Sequence, residues 1–180
     1  MRKLKTEEIP RLSKTEFEMK DKLPVVIFLD NIRSHHNVGS FFRTADAFAF
    51  EGLMLTGITG KPPHRDIRKT ALGASETVSW TYSKDGLDAA LELKTQGYRL
   101  YAVEITSDSV HPDEIEFSGD KKFVLIFGNE VKGVQQEIID ICDACIEIPQ
   151  QGTKHSLNVS ISGGIVMWEA FKNLNSPKIS

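Results

Sequence analysis

Three polar segments hold the residue types from which a reaction site could be built. The first, Asp30-Asn31-Ile32-Arg33-Ser34-His35-His36-Asn37-Val38-Gly39-Ser40-Phe41-Phe42-Arg43-Thr44-Ala45-Asp46, sets many hydrogen-bonding side chains between an apolar run and a helical stripe. In it Asn37 can cap a helix and Gly39 relieve the backbone. Arg43 lies either on the solvent face or toward an anion at the helix start, where guanidinium and helix dipole cooperate. The second segment, Phe127-Gly128-Asn129-Glu130-Val131-Lys132-Gly133, directly follows an apolar run. A glycine there lets a ligand approach the main chain, and Asn129 and Glu130 add an amide and a carboxylate. The third runs from Ile146 to Ser160. Its strand breaks at Pro149, a polar loop follows, and Ser156 or Asn158 opens a helix containing Gly163-Gly164. Two helical glycines cost about 1 kcal/mol each relative to alanine, which implies close packing against another backbone.

Other chemistries find less support. The chain has neither the Gly-x-x-x-x-Gly-Lys-Ser/Thr loop of phosphate binders nor a Gly-x-Gly-x-x-Gly fingerprint, which argues against ATPases and dinucleotide enzymes. Cys142-Asp143-Ala144-Cys145 has dithiol spacing with His155 nearby in sequence, but a zinc site needs four ligands and a redox pair needs its own fold context. These cysteines read as packing thiols. His35-His36 lack a third ligand, so no metal is expected. Ser156 beside His155 lacks a nucleophile elbow, and adjacent residues rarely form a nucleophile and its base.

The elements that must position these segments alternate. Val25–Leu29 and Phe123–Phe127 are continuously apolar and β-branched or aromatic, as in strands covered on both faces. Phe41, Phe42, Ala45, Phe48 and Ala49 form one stripe on a helix over 39–50. Strands are expected at 53–56, 77–82, 99–105 and 144–148, and helices at 67–72, 87–96, 135–141 and 157–174. Gly97 stops the helix before it, and 106–120 reads as loop. This order predicts an α/β fold: a mostly parallel sheet with helices on both faces and its crevice at the carboxyl ends of the strands. Ser13-Lys14-Thr15-Glu16 is a capping-box pattern, so residues 1–22 read as a short helical extension and 23–175 as the main domain.

With 180 residues, 40% of them hydrophobic and 26% charged, the chain can build one proper core, which excludes disordered, collagen-like and disulfide-scaffold classes. No apolar run approaches the roughly 18 residues of a membrane span, and no secretory pattern opens the chain, so a soluble cytoplasmic protein is expected. A net charge of −3 disfavours non-specific coating of nucleic acid but permits a local basic patch. Lys61-Pro62-Pro63-His64-Arg65-Asp66-Ile67-Arg68-Lys69 is the candidate, a stiff loop whose Lys61, Arg65, Arg68 and Lys69 would contact phosphates without reading sequence, or simply be solvated.

Taken together, Asn37-x-Gly39-x-x-x-Arg43-x-Ala45-Asp46, Gly128-Asn129-Glu130-x-x-Gly133, and Ile148-Pro149 with Ser156-Leu157-Asn158-Val159-Ser160 resemble the three motifs of the SpoU-type RNA methyltransferases of the SPOUT superfamily. The transfer RNA (guanosine-2′-O) branch is the most similar, over residues 25–171. The resemblance implies a C-terminal deep trefoil knot and S-adenosylmethionine bound in it by the main chain near Gly128, Ile148 and Leu157. It also implies a homodimer, with Arg43 acting on the cofactor of the partner subunit. The implied activity is methylation of a ribose 2′-hydroxyl in tRNA or rRNA, the alternative being an inactive knotted RNA-binding protein. Arg43, Asn37, Glu130, Ser156 and Asn158 would form the catalytic set. Arg43, as a guanidinium with a pKa above about 12, would clamp phosphate and activate the hydroxyl rather than deprotonate it. The N-terminal arm here is shorter and more mixed in charge than in the larger tRNA enzymes.

Overall fold

Neighbouring residues of the first strand enter two different cores. In β1 (Leu23–Asp30), Val25, Ile27 and Leu29 point into one cluster and Val26 and Phe28 into the other, all buried. The strand β5 (Lys122–Phe127) repeats this: Phe123, Leu125 and Phe127 join the first cluster, Val124 and Ile126 the second. Period-two side chains that are apolar on both faces are what a strand covered on both faces requires. The computed structural model describes residues 1–154 and 156–175.

The remaining strands are β2 (Phe50–Thr56), β3 (Trp80–Ser83), β4 (Tyr98–Val103) and β6 (Ala144–Ile146). All pair in parallel, in the order β3-β2-β1-β5-β4-β6. The register sets Leu29 beside both Leu55 and Phe127. The helices are α1 (Lys14–Met19), α2 (His35–Ala47), α3 (Arg65–Ala71), α4 (Gly86–Thr95), α5 (Gln136–Ile139) and α6 (Val159–Asn175). Residues of α2, α3 and α6 fill the first cluster, and residues of α4 and α5 the second, so helices cover both faces. Phe41 and Phe42 of α2 are buried at its centre, each contributing about 1.5–3 kcal/mol by leaving water. The capping box predicted at the chain start forms, Ser13 accepting from the Glu16 N–H and Glu16 reaching back to Ser13.

Most element ends shift by a few residues from those expected, and four departures have a clear local cause. Helix α2 begins at His35, not Gly39, and its cap is Ser34, whose Oγ accepts from the Asn37 N–H at 3.3 Å. Asn37 is therefore the third helical residue rather than a cap, and its side chain is free for a longer reach. Strand β3 starts at Trp80, because Ala74–Glu76 forms a 3-10 turn and Thr77 closes it while donating from Oγ1 to Asp46 at 2.8 Å. Strand β6 ends at Ile146, since the Glu147 N–H turns to the Val110 carbonyl, 2.9 Å, in the 106–111 loop. The glycine pair of α6 packs against a side chain, not a backbone: a Cβ on Gly163 would enter the Phe41 ring, whereas one on Gly164 would meet nothing.

Candidate active site

Every parallel strand delivers its following loop to one end of the sheet, and three of these loops converge there. Glu130, just beyond β5, is the meeting point. Its Oε2 accepts the Arg33 N–H at 2.9 Å, and its Oε1 accepts the Ser34 N–H at 3.0 Å and the Asn37 Nδ2 at 2.9 Å. Burial pushes this carboxyl up, but the main-chain N–H groups, chiefly that of Arg33, and the Asn37 amide outweigh it and hold the group below its ordinary value. A carboxylate whose two oxygens already take three donors at a helix start is a clamp, not a free base.

The third loop joins through Asn37, which is buried. Its Oδ1 lies 3.3 Å from both Asn158 Nδ2 and Ser160 Oγ. Ser160 Oγ is also 2.7 Å from Asn158 Oδ1, so its single proton serves one acceptor at a time. Asn158 Oδ1 further accepts the Ser160 N–H at 2.9 Å, closing the first turn of α6. One connected network thus runs Glu130, Asn37, Asn158, Ser160.

The second loop is folded on itself. Asn129 and Gly133 exchange main-chain hydrogen bonds of 3.0 and 2.8 Å, and Asn129 Oδ1 accepts the N–H groups of Val131 and Lys132. Asn129 Nδ2 donates to the Asn31 carbonyl at 2.7 Å, tying this loop to the first. Gly128 is required by the loop itself, because a Cβ there would collide with the main chain of Gly133 and Val134.

Behind the network opens a cleft of about 470 Å3, within the range of small-molecule sites. Its apolar walls include Phe127, Ile146, Ile148 and Leu157, and its rim carries Asn129, Glu130, Ser156 and Asn158. Gly128 is also part of its lining. A lining that mixes apolar side chains with amides, a hydroxyl and a carboxylate suits a nucleoside-bearing cofactor such as S-adenosylmethionine.

The SpoU rRNA Methylase family matches residues 24–168 of this chain. The chain belongs to this family. A tRNA (guanosine(18)-2′-O)-methyltransferase of Aquifex aeolicus is 33% identical over 146 residues, 81% of this chain and 68% of the relative. The crystal structure of an A. aeolicus TrmH/SpoU tRNA modifying enzyme superposes with a TM-score of 0.79 at 31% identity, covering 89% of this chain and 80% of that one. An AdoMet-bound rRNA methyltransferase from Sinorhizobium meliloti gives 0.80 at 29% identity, over 87% of this chain and 59% of that one.

Within this SpoU family chain the residues singled out from sequence divide. Asn37, Glu130 and Asn158 form the network; Gly128, Ile148, Ser156 and Leu157 line the cleft. Arg43 does not join them. It is exposed and faces a separate groove lined by Arg11, Lys14, Lys20, Asp46 and Thr77. Arg65, Arg68 and Lys69 sit exposed on α3 rather than on a loop, and Lys61 Nζ lies 3.7 Å over the Tyr82 ring. Burial pushes the Cys142 thiol up to about 12, so it stays protonated and unreactive. His155 lies outside the described residues.

Two acidic residues escaped the sequence reading. Asp30 ends β1 fully buried, accepting the Gln135 N–H at 3.0 Å and the Gln135 Nε2 at 2.8 Å. Glu104 follows β4 and accepts the Val134 N–H at 3.1 Å. Since β1 and β4 flank β5, the loop after β5 is gripped from both sides. The available signal was a carboxylate closing an otherwise apolar strand.

Proposed function

We propose that this protein transfers a methyl group from S-adenosylmethionine to a ribose 2′-hydroxyl of tRNA or rRNA, as a cytoplasmic homodimer. The observation that carries this reading is the Glu130, Asn37, Asn158, Ser160 network standing at the mouth of the cleft. It brings all three motifs into contact, and membership of the SpoU family supports the same chemistry. Bound there, the cofactor supplies a methyl group activated by a sulfonium. Gly128, Ile148 and Leu157 would hold it, largely through main-chain groups and apolar contact. Much of the rate then comes from positioning, because an in-line displacement needs oxygen and methyl held in near-attack geometry. Glu130 fixes the first loop, and Asn158 and Ser160 fix the helix start beyond the cleft.

Arg43 clamps the substrate phosphate and supports charge growing on the 2′-oxygen. In its own chain it points away from the cleft, which favours delivery to the cleft of a partner subunit. The outer face of α6 supplies a fitting surface: Ile161, Ile165 and Trp168 are 56%, 40% and 51% exposed at helical spacing, with Gly164 open between them. Two copies joined on this apolar stripe would hide it. Residues 23–175 would form the catalytic domain and 1–22 its extension. Strand β6 lies at the sheet edge beside β4 while α6 packs in the cluster of α2, so the connecting segment must cross back over the strand ends. We read that crossing as the trefoil knot. Lys61, Arg65, Arg68 and Lys69, with Arg11, Lys14 and Lys20 beside Arg43, would carry RNA phosphates. No described helix is long and apolar enough to cross a membrane.

The test is to incubate the full chain with unmodified total RNA and methyl-labelled S-adenosylmethionine, fractionate tRNA from rRNA, and identify nucleosides by mass spectrometry. A 2′-O-methyl nucleoside is expected in one fraction. Cofactor binding without label in any fraction would favour an inactive RNA-binding protein, and no cofactor binding would overturn the reading.

A further inference from the structure

The cleft has two chemically distinct ends. The reaction end carries Glu130, Ser156 and Asn158. A second part of the lining, Glu104, Ile105, Val131 and Gly133, is shared with an adjoining cavity of about 1000 Å3. A cofactor with its methyl beside Glu130 and Asn158 would leave its nucleoside to the rest of this lining, Glu104 included.

Three carboxylates line the cleft, and they differ in what holds them. Glu130 takes three donors at the reaction end, and Glu147 Oε2 accepts the Ser109 Oγ at 2.8 Å. Glu104 differs. Its Oε2 accepts the Val134 N–H and its Oε1 the Ile105 N–H, both at 3.1 Å. Each oxygen of a carboxylate accepts two hydrogen bonds, so one lone pair per oxygen remains. The two main-chain donors fix the side chain in place before any ligand arrives, which removes the ordering cost of binding.

We propose that Glu104 is a cofactor-binding residue that accepts hydrogen bonds from the ribose diol of S-adenosylmethionine. The inference rests on the cofactor reading given above. A carboxylate matches a cis-diol because two acceptors meet two donors, the solution that dinucleotide-binding folds reach with an acidic residue on the ribose hydroxyls.

The experiment is titration calorimetry on the full chain, wild type and Glu104→Gln, with S-adenosylmethionine, 5′-methylthioadenosine and 2′-deoxy-5′-methylthioadenosine. The wild type should bind methylthioadenosine about tenfold or more tightly than its 2′-deoxy counterpart, the usual effect of losing a hydrogen bond to a charged group. Glu104→Gln should erase most of that difference. Equal wild-type affinity for the two nucleosides overturns the inference, as does a Glu104→Gln chain that keeps the full difference. A loss confined to S-adenosylmethionine also overturns it, because the partner would then be the ammonium rather than the diol. If Glu104→Gln does not fold by circular dichroism, Glu104→Asp takes its place: the shorter carboxylate should narrow the difference, and an unchanged difference overturns the inference. A wild type that binds no S-adenosylmethionine refutes the cofactor reading instead, so the two failures are distinct.

Discussion

Asn37 and Arg43 lie on the same helix, yet the chain treats them in opposite ways. Asn37 is buried and bonded to groups from both other motifs, so its position is settled within one subunit. Arg43 is exposed in a groove bordered by three more cations, and although Asp46 and Glu76 line the same groove it forms no ion pair among the described residues. A side chain fixed on every side builds a site; one held in waiting meets something from outside. On the proposed function, the difference would separate the part of the reaction that a subunit preorganises from the part that RNA and a second subunit complete.

The sharpest way to break this division is Arg43→Ala. Methyl transfer should fall about a hundredfold to a thousandfold, the range for loss of one transition-state donor, while calorimetry finds S-adenosylmethionine affinity unchanged. Trp168→Glu comes next. It should raise the dimer dissociation constant about thirtyfold or more in sedimentation, with turnover falling as subunits separate. Unchanged association would leave Arg43 without its proposed partner cleft.

Gly163→Ala should destabilise the fold by about 1–3 kcal/mol in urea, because its methyl overpacks against Phe41. Its neighbour sharpens the comparison. Gly164→Ala has open space in one subunit and should gain up to about 1 kcal/mol of helix propensity in an isolated subunit, but weaken association if a second helix lies against it. The smallest effect belongs to Glu130→Gln, about 1 kcal/mol near neutral pH. Because the folded state holds this carboxyl below its ordinary 4.5, the clamp contributes fully above that value and is lost as pH falls through the folded-state value. Acid titration of stability should therefore flatten at its low end in the variant.

Much of this was legible in the sequence because it is local. The runs Val25–Leu29 and Phe123–Phe127 announce strands buried on both faces, and the capping box at Ser13 announces its helix. The start of α2 was hidden because His35-His36-Asn37 adds no apolar periodicity, and Ser34 caps it through a single hydroxyl. The two strand-end carboxylates were hidden for another reason. Asp30 and Glu104 meet the loop after β5 only because β1 and β4 flank β5, an adjacency between strands far apart in the chain that no spacing rule encodes. For Arg43 the resemblance already implies action on a partner's cofactor; what the fold adds is the separate groove that it faces.

The strand order also bears on how the molecule comes into being. β1 pairs with β2 soon after it in the chain, but its other edge waits for β5. During synthesis Leu29 leaves the ribosome long before Phe127 exists, so a strand buried on both faces spends that interval with one edge unsatisfied. Pairing across so long a stretch of chain is slow, and an open apolar edge invites association with the wrong neighbour. The central strand thus stays half-paired until β5 is made, and the nascent chain carries an open apolar edge for most of its synthesis.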